Sequence, residues 1–397
     1  MRLTLLVFIL VFVITGLFSA CSKETQVDTV NSYPAVQATF GDNINLGKLA
    51  NYSAQARPAY IMKDNSGANP ITDAKATLGR VLFYDKSLSI DNTVACASCH
   101  QQAFAFSDPL IASKGVQGGI TGRHSMRLIN TRFSNELKFF WNERAASLEQ
   151  QTTQPIQDHA EMGFSGQNGR PVLNTLLNKL QNINYYQEIF RFVYGDQQVN
   201  EQRLQECLAQ FIRSVQSFDS KFDAGRVQAP NDGAPFPNYT AQENQGKQLF
   251  LQPPNFNANG IRIAGGAGCA GCHRPPEFDI DPNSRNNGIT ATIGGAGKDF
   301  GNTRSPSLRD LTNNAGVVNS PLMHHGGNAS IRSVILHYNN IIRDPENTNL
   351  DPRLTPGGNG QQLQLSEAEI SALIAFMQTL SGTNVYADKK WSNPFLK

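Results

Sequence analysis

The sequence predicts a mainly helical chain built of two units, and three observations support this fold class. Apolar residues recur at helical spacing in several stretches, among them 78–82, 171–183 and 204–218. No stretch shows the strong apolar–polar alternation of a half-buried strand. A segment rich in Pro, Gly and Asn, residues 224–239, divides the chain, and each side carries one Cys-x-x-Cys-His motif. We therefore place a domain boundary between residues 235 and 236.

Two pairs of residues mark the starts of helices in the second unit. Thr240 and Glu243 have the spacing of a capping box, and so do Ser366 and Glu369. In such a box, the hydroxyl and the carboxylate each accept a backbone N–H that the first helical turn leaves unpaired. We expect helices to begin directly after Thr240 and after Ser366.

Composition narrows the classes of partner. The chain has 397 residues, of which 40% are hydrophobic and 17% charged, so it has enough apolar material for folded domains. Its formal net charge is only +2. This charge is too small to indicate nucleic acid or an acidic polymer as a partner.

The N-terminus has the features of an export signal. Arg2 precedes the apolar run of residues 3–18, and small residues lead to Cys21. Residues 1–20 therefore predict a signal peptide. The sequence "FSAC" resembles a bacterial lipoprotein signal, in which Cys21 becomes the lipidated first residue, and the alternative is a plain cleaved signal. Either reading predicts a periplasmic location, and residues 21–71 predict a polar arm or tether.

The haem-type motif repeats once, and it uses four of the six cysteines. The two copies consist of Cys96, Cys99 and His100, and of Cys269, Cys272 and His273. Covalent haem c needs two thiols for its vinyl groups and an imidazole for its iron, and this motif supplies all three. A zinc site would require further Cys or His residues clustered near each motif. Two covalently bound haems c are therefore predicted.

The remaining two cysteines lie outside the haem motifs. Cys21 belongs to the predicted signal. Cys207 lies in "LQECLAQFIRSVQSF", a stretch with helical apolar spacing, and is expected to be a buried core thiol.

The two haem sites differ in their candidate sixth ligands. A Met thioether at this position raises the potential, whereas an open position makes the iron reactive. In the second unit, Met323 lies in the loop "NSPLMHHGG", where His324 or His325 could ligate instead. In the first unit, His124 could reach the iron, and the alternative is a solvent-facing or structural histidine.

Taken together, the motifs resemble those of the bacterial dihaem cytochrome c peroxidase family, which includes the MauG-type dihaem oxidases. The resemblance covers residues 72–382. The motifs that carry it are "LGRVLFYDKSLSIDNTVACASCH", "FFWNERAASLEQQ", "PIQDHAEMG", "GCAGCH", "SPSLRDLT" and "PLMHHGG". It implies two cytochrome c-like haem domains packed against each other, with long irregular loops. Residues 72–235 would form the peroxidatic domain and residues 236–397 the electron-transfer domain.

For the first domain, the resemblance implies a site that cleaves peroxide. His100 would be the proximal ligand of the peroxide-reducing haem. Glu161 would be the distal acid–base carboxylate, with Gln151 beside it. Trp141 would lie between the two haems and help electrons to cross.

For the second domain, the resemblance implies the electron supply. His273 and Met323 would hold a high-potential haem that accepts electrons from a small redox protein, a cytochrome c or a cupredoxin. The substrate would be hydrogen peroxide, and the protein could form a homodimer.

The chain also departs from the family pattern in informative ways. The segment "GVQGGITGRHSM" lacks the removable distal His of many members, so the first haem is expected to be open. The family binds calcium between its domains through an Asn near the position of His124, so the resemblance also implies one calcium ion. MauG-type oxidases have Tyr in place of Met323, which favours a peroxidase. The alternatives are a MauG-type oxidase acting on a protein or organic substrate, and a non-catalytic dihaem electron carrier or redox sensor.

Overall fold

The computed structural model describes residues 33–396 except residues 136, 281–282 and 296. The predicted signal peptide and Cys21 lie outside the described residues. The helices of the described part are α1 (Pro34–Phe40), α2 (Asp73–Tyr84), α3 (Cys96–Cys99), α4 (Leu148–Gln157), α5 (Leu173–Gln181), α6 (Asn184–Tyr194), α7 (Glu201–Ser214), α8 (Lys221–Arg226), α9 (Ala241–Leu251), α10 (Ile331–Asn339) and α11 (Glu367–Gln378). Among them, none is long and apolar enough to cross a membrane.

Within the described residues, strands are few and short. Two antiparallel pairs occur in the second half: β1 (Pro254–Phe256) with β2 (Arg262–Gly265), and β3 (His273–Arg274) with β4 (Asp279–Ile280). In the second pair, His273 lies opposite Ile280, so the motif histidine is part of a strand. The mainly helical fold class is confirmed.

Each half of the chain has its own hydrophobic core, and each core is built on a close helix contact. In the first core, α2 packs on α7; in the second, α9 packs on α11. Both contacts need a glycine, because a Cβ at Gly79 would overlap the carbonyl oxygen of Cys207, and one at Gly246 would overlap that of Ala372. The two halves therefore repeat the same helix pairing around their haem motifs.

The local sequence signals correspond to the observed helices. The apolar stretches at 78–82, 171–183 and 204–218 coincide with α2, α5 and α7. Both capping boxes form, with Thr240 and Ser366 as the N-cap residues of α9 and α11. Cys207 is fully buried and lies 3.2 Å from the hydroxyl of Tyr194, so its prediction as a core thiol is confirmed.

Of the two alternatives for residues 21–71, an arm or a tether, the structure favours an arm for residues 33–71, because this segment packs on the first core. Phe40 and Tyr52 are fully buried. The backbone N–H groups of Ala35 and Val36 donate to the carboxylate of Glu188 at 3.1 and 2.9 Å. Sparse apolar residues are enough for packing here, because the buried aromatic rings anchor the otherwise polar arm.

The structure also differs from the predicted domain boundary. Phe222, which precedes the Pro-rich segment, belongs to the second core. The C-terminal residues return to the first core, where Trp391 is buried. There, Trp391 Nε1 donates to the Ser214 hydroxyl at 3.2 Å, and the Tyr84 hydroxyl donates to the carbonyl oxygen of Trp391 at 2.6 Å. The Pro-, Gly- and Asn-rich composition indicates the linker. It does not indicate that Phe222 and Trp391 pack on the other core, because their packing partners lie far away in sequence.

The helix contact at Gly246 yields a stability prediction. Gly246→Ala should force α9 away from α11 and destabilise the protein by about 1–3 kcal/mol, an overpacking cost that the better helix propensity of Ala offsets only partly. The midpoint of thermal unfolding, followed by circular dichroism, should fall. Gly67→Ala is the control, because Gly67 is exposed and its new Cβ would meet no atom. Equal midpoints for the two variants would contradict the prediction.

Candidate functional site

The first motif is folded so that its histidine has one nitrogen free. Cys96 and Cys99 span the single turn of α3, and His100 follows it. The Nδ1 atom of His100 lies 3.1 Å from the carbonyl oxygen of Phe106 and 3.2 Å from the hydroxyl of Ser125. A carbonyl oxygen only accepts, so Nδ1 carries the proton and Nε2 has a free lone pair. This is the arrangement of a metal-ligating histidine held by its second nitrogen.

The second motif repeats this arrangement with different elements. Cys269 begins a short 3-10 turn, and His273 follows in β3. The Nδ1 atom of His273 lies 3.1 Å from the carbonyl oxygen of Pro306. Burial lowers the pKa of His273 to about 4, so the ring is neutral at pH 7 and its Nε2 is available to a metal.

A cavity of about 610 Å³ adjoins the second motif. Most of its wall is apolar, and the motif residues Cys269, Cys272 and His273 border it. Mainly apolar walls with a few convergent polar groups are typical of cofactor sites. The size of the cavity, the two thiols and the free imidazole nitrogen together fit a covalently attached haem.

Of the three candidate sixth ligands in the "NSPLMHHGG" loop, Met323 alone borders this cavity within the described part of the chain. Met323 adopts a left-handed backbone conformation with φ of 67°, and its sulfur lies 3.7 Å from the side-chain nitrogen of Asn287. His324 is buried instead beside Asp299, whose carboxylate is 3.8 Å from its Nε2. The structure thus brings Met323, rather than His324, to the wall that also contains His273.

Glu161 lies beside the first motif. Its negative charge contributes to raising the pKa values of Cys96 and Cys99, after the larger effect of burial, so its carboxylate acts electrostatically on both thiols. Burial, with a further contribution from Asp158, raises the pKa of Glu161 to about 7, and Arg144 opposes the shift. A carboxyl group with this pKa can both accept and donate a proton at neutral pH.

The backbone around Glu161 explains its position. One carboxylate oxygen of Asp158 accepts the N–H groups of Ala160 and Glu161 at 2.8 and 3.0 Å. The carbonyl oxygen of Glu161 accepts the N–H of Val116 at 3.0 Å. Gly115 allows this close approach, because a Cβ there would overlap the carbonyl oxygen of Ala160. Asp158 was not identified from the sequence, although an Asp three residues before Glu161 is a common turn signal.

Gln151 lies on α4, partly buried, in the helix that leads to Glu161. Within the described residues, no hydrogen bond joins the side chains of Gln151 and Glu161. The structure thus places Gln151 on α4 and Glu161 in the turn that follows it, without pairing their side chains.

Trp141 connects the two halves. It is buried, with 8% of its surface exposed, and borders the cavity of the second motif. Its Nε1–H donates to the carbonyl oxygen of His124 at 2.7 Å. The N–H of His124 in turn donates to the carbonyl oxygen of His324 at 2.7 Å, and the carbonyl oxygen of Trp141 accepts the N–H of Arg304 at 2.7 Å. A tryptophan of the first half is therefore fixed by backbone groups of both halves.

His124 does not fit the role of an iron ligand. Its Nδ1 lies 3.0 and 3.2 Å from the carbonyl oxygens of Leu110 and Ile111, and its Nε2 lies 3.4 Å from the Ser107 hydroxyl. The next residue, Ser125, contacts His100 from the Nδ1 side, so His124 lies behind the motif histidine rather than across from it.

The same position does not fit a calcium ligand either. Calcium takes oxygen ligands, whereas the side chain of His124 offers two nitrogens, both already engaged. The backbone carbonyl of His124 accepts the indole N–H of Trp141. We therefore assign no role to calcium.

The sites and the fold define a class of protein: two cytochrome c-like domains, each with a motif for covalent haem. Comparison with known proteins agrees, since residues 73–229 match the family model described as di-haem cytochrome c peroxidase. The chain belongs to the di-haem cytochrome c peroxidase and MauG family. The family implies two haems.

Individual relatives support this assignment. The chain is 29% identical over 326 residues to the methylamine utilization protein MauG of Methylophilus methylotrophus, covering 79% of this chain and 84% of that protein. It is 24% identical over 321 residues to the cytochrome c551 peroxidase of Nitrosomonas europaea, covering 77% and 80% of the two chains.

Two solved structures have the same fold. The crystal structure of a MauG-like protein associated with microbial copper homeostasis superimposes with a TM-score of 0.61 at 25% identity, covering 85% of this chain and 98% of that one. A variant of a diheme peroxidase from Burkholderia thailandensis gives a TM-score of 0.59 at 20% identity, covering 85% and 94%.

The assignment of one haem to each motif predicts a simple count. The double variant Cys96→Ala, Cys99→Ala should retain one covalently bound haem, and Cys269→Ala, Cys272→Ala should likewise retain one, because each site has its own pair of thiols. Mass spectrometry of the denatured protein counts the attached haems. Cys207→Ala is the control and should keep both. If either double variant still carries two haems, the assignment is wrong.

Proposed function

We propose that this protein reduces hydrogen peroxide to water with electrons supplied one at a time by a small redox protein, a cytochrome c or a cupredoxin. The observation that best supports this function is the difference between two sites with identical motifs. A carboxyl group with a pKa of about 7 lies beside the first motif, whereas a thioether borders the cavity of the second. This division fits one site for proton-coupled chemistry and one for electron transfer.

In the first site, the chain supplies a ligand for the haem iron and a group that transfers protons. Haem bound through Cys96, Cys99 and His100 would supply the iron at which peroxide is cleaved. Glu161 would accept a proton from one peroxide oxygen and return it to the other, which leaves as water when the O–O bond breaks. The remaining oxygen would become the second water after taking up two protons and the two electrons from the donor protein. Gln151 is proposed to donate a hydrogen bond to the bound peroxide from α4.

In the second site, the chain would supply the pocket for a second haem and two ligands for its iron. We propose that His273 and Met323 hold this haem, attached through Cys269 and Cys272. A thioether ligand favours the reduced iron and so raises the reduction potential. Trp141, which borders this cavity from the first half, is proposed to help electrons reach the first site.

A second candidate is a MauG-type oxidase acting on a protein or organic substrate. The similarity to proteins named MauG favours it. Met323 argues for the peroxidase instead, because the MauG-type oxidases have Tyr at this position. A non-catalytic dihaem carrier or sensor is the third candidate; it would have two low-spin haems that do not react with peroxide.

We further propose that the protein is exported to the periplasm and anchored through a lipid on Cys21. The arrangement of residues 1–21 supports this proposal, as does the maturation of c-type haem outside the cytoplasm.

The acid–base assignment predicts both a rate loss and a pH profile. Glu161→Gln should slow the reaction with peroxide by about 10²–10⁴-fold, measured by stopped-flow absorbance, with both haems still attached. In the parent protein, the rate should rise with pH through about 7, because Glu161 must be deprotonated to accept the proton. The variant should lack this rise.

Glu346→Gln is the matched control, because the side chain of Glu346 is 67% exposed and pairs with Lys298 at the surface. It should react at the parent rate. A Glu161→Gln variant with the parent rate and pH profile would show that another group moves the proton.

The thioether assignment predicts a change in potential. Met323→His should lower the reduction potential of the second haem, because imidazole stabilises the oxidised iron relative to a thioether. We expect at least a tenfold fall in the equilibrium constant for reduction, which is 59 mV for one electron. Spectroelectrochemical titration measures it. Met62→His, at a side chain 82% exposed, should leave the potential unchanged. An unchanged potential in Met323→His would remove Met323 from the ligand set.

A further inference from the structure

Arg127 joins the two backbone segments that hold the motif histidines. It lies two positions after Ser125 in the sequence. The hydroxyl of Ser125 lies 3.2 Å from His100 Nδ1. The Nη2 atom of Arg127 donates to the carbonyl oxygen of Ser307 at 3.2 Å. Ser307 directly follows Pro306, whose carbonyl oxygen accepts the Nδ1–H of His273. One guanidinium group of the first domain therefore reaches the backbone that fixes the ligand of the second.

The charge of Arg127 is enclosed and lacks an ion-pair partner among the described residues. Its Nε atom is buried without a hydrogen-bond acceptor. Burial lowers its pKa to about 10, which still leaves the group positively charged at pH 7. The negative charge that acts on it most is that of Asp310, which forms no ion pair with Arg127 within the described residues and accepts the N–H of Gly382 at 2.8 Å.

This charge lies where an electron would arrive. Arg127 borders the cavity of the second motif together with His273 and Met323. Its guanidinium donates to the carbonyl oxygen of Ser307, the residue next to the Pro306 carbonyl group that holds His273, so the charge lies close to the ligand. Reduction adds one negative charge to a haem site, and a nearby buried cation stabilises that charge far more than an exposed one would.

We propose that Arg127 is a positioning residue that raises the reduction potential of the second haem through its buried positive charge. This proposal rests on the proposed function only for the role of the second haem as the point of electron entry. The charge of Arg127 adds to the effect of the Met323 thioether, and both make the second haem the easier of the two to reduce. Because Arg127 comes from the first domain, the potential of the second haem depends on the contact between the domains.

The test compares variants of the holoprotein that keep or remove the charge. Arg127→Met and Arg127→Gln should lower the equilibrium constant for reduction of the second haem about tenfold, which is 59 mV for one electron. Arg127→Lys should retain most of the parent value, because it keeps the charge while losing the planar fork. Spectroelectrochemical titration without peroxide resolves the two haems. Because the titration does not depend on peroxidase activity, it tests the proposal even if the protein proves not to be a peroxidase.

Arg332→Met is the matched control, because the side chain of Arg332 is 43% exposed and pairs with Glu367 at the surface, where solvent screens its charge. It should leave both potentials unchanged. Covalent haem counts and thermal midpoints identify the folded variants, and Arg127→Gln keeps a donor for Ser307 should Arg127→Met fail to fold. A folded charge-free variant with the parent potential overturns the proposal. A fall in Arg127→Lys as large as that in Arg127→Gln overturns it as well, because the effect would then not depend on charge.

Discussion

The hydrogen bond from Nδ1 of each motif histidine to a backbone carbonyl is the constraint around which both sites are built. It fixes the tautomer and the direction of Nε2 in one step, so each imidazole is ready for iron. The acceptors are Phe106 for His100 and Pro306 for His273. Phe106 lies close to its histidine in sequence, and its φ of 56° shows how tightly the chain must turn to return there. Pro306 is distant in sequence, so the second site requires a long loop.

The chemical difference between the sites comes from what surrounds these two similar supports. Near the first motif, the backbone brings in Glu161, and burial raises the pKa of its carboxyl group into the range of proton transfer. Near the second, the loop that carries Met323 closes over a largely apolar wall. Neither motif encodes its own role. Desolvation of one carboxyl group and the exposure of one thioether to the cavity separate the two environments.

Features that depend on residues close together in sequence could be predicted, whereas contacts between segments far apart in sequence could not. Helical spacing located α2, α5 and α7, and the capping boxes of Thr240 and Ser366 located two helix starts. The two haem motifs could be named because their spacing alone brings two thiols and an imidazole together. The packing partners of the arm and the return of Trp391 to the first core could not be predicted, because the partners are far away in sequence. Arg127 was missed for the same reason, since only the fold brings it to Ser307.

The contact between the domains helps to explain why His124 can occupy a position where the resemblance implied Asn. Both bonds that fix Trp141 to the second domain through this residue use main-chain atoms: the carbonyl oxygen accepts the indole N–H, and the N–H donates to His324. Main-chain groups are the same for every residue except proline, so this link does not depend on the side chain. The imidazole is then free to bind the carbonyl oxygens of Leu110 and Ile111, which stabilises the neighbouring loop. A histidine at position 124 stabilises the first domain and leaves the link between the domains intact. Arg127, in contrast, contacts the second domain through its charged side chain, which donates to Ser307. The position of Trp141 is thus insensitive to substitution at residue 124, and the electrostatic coupling depends on the identity of residue 127.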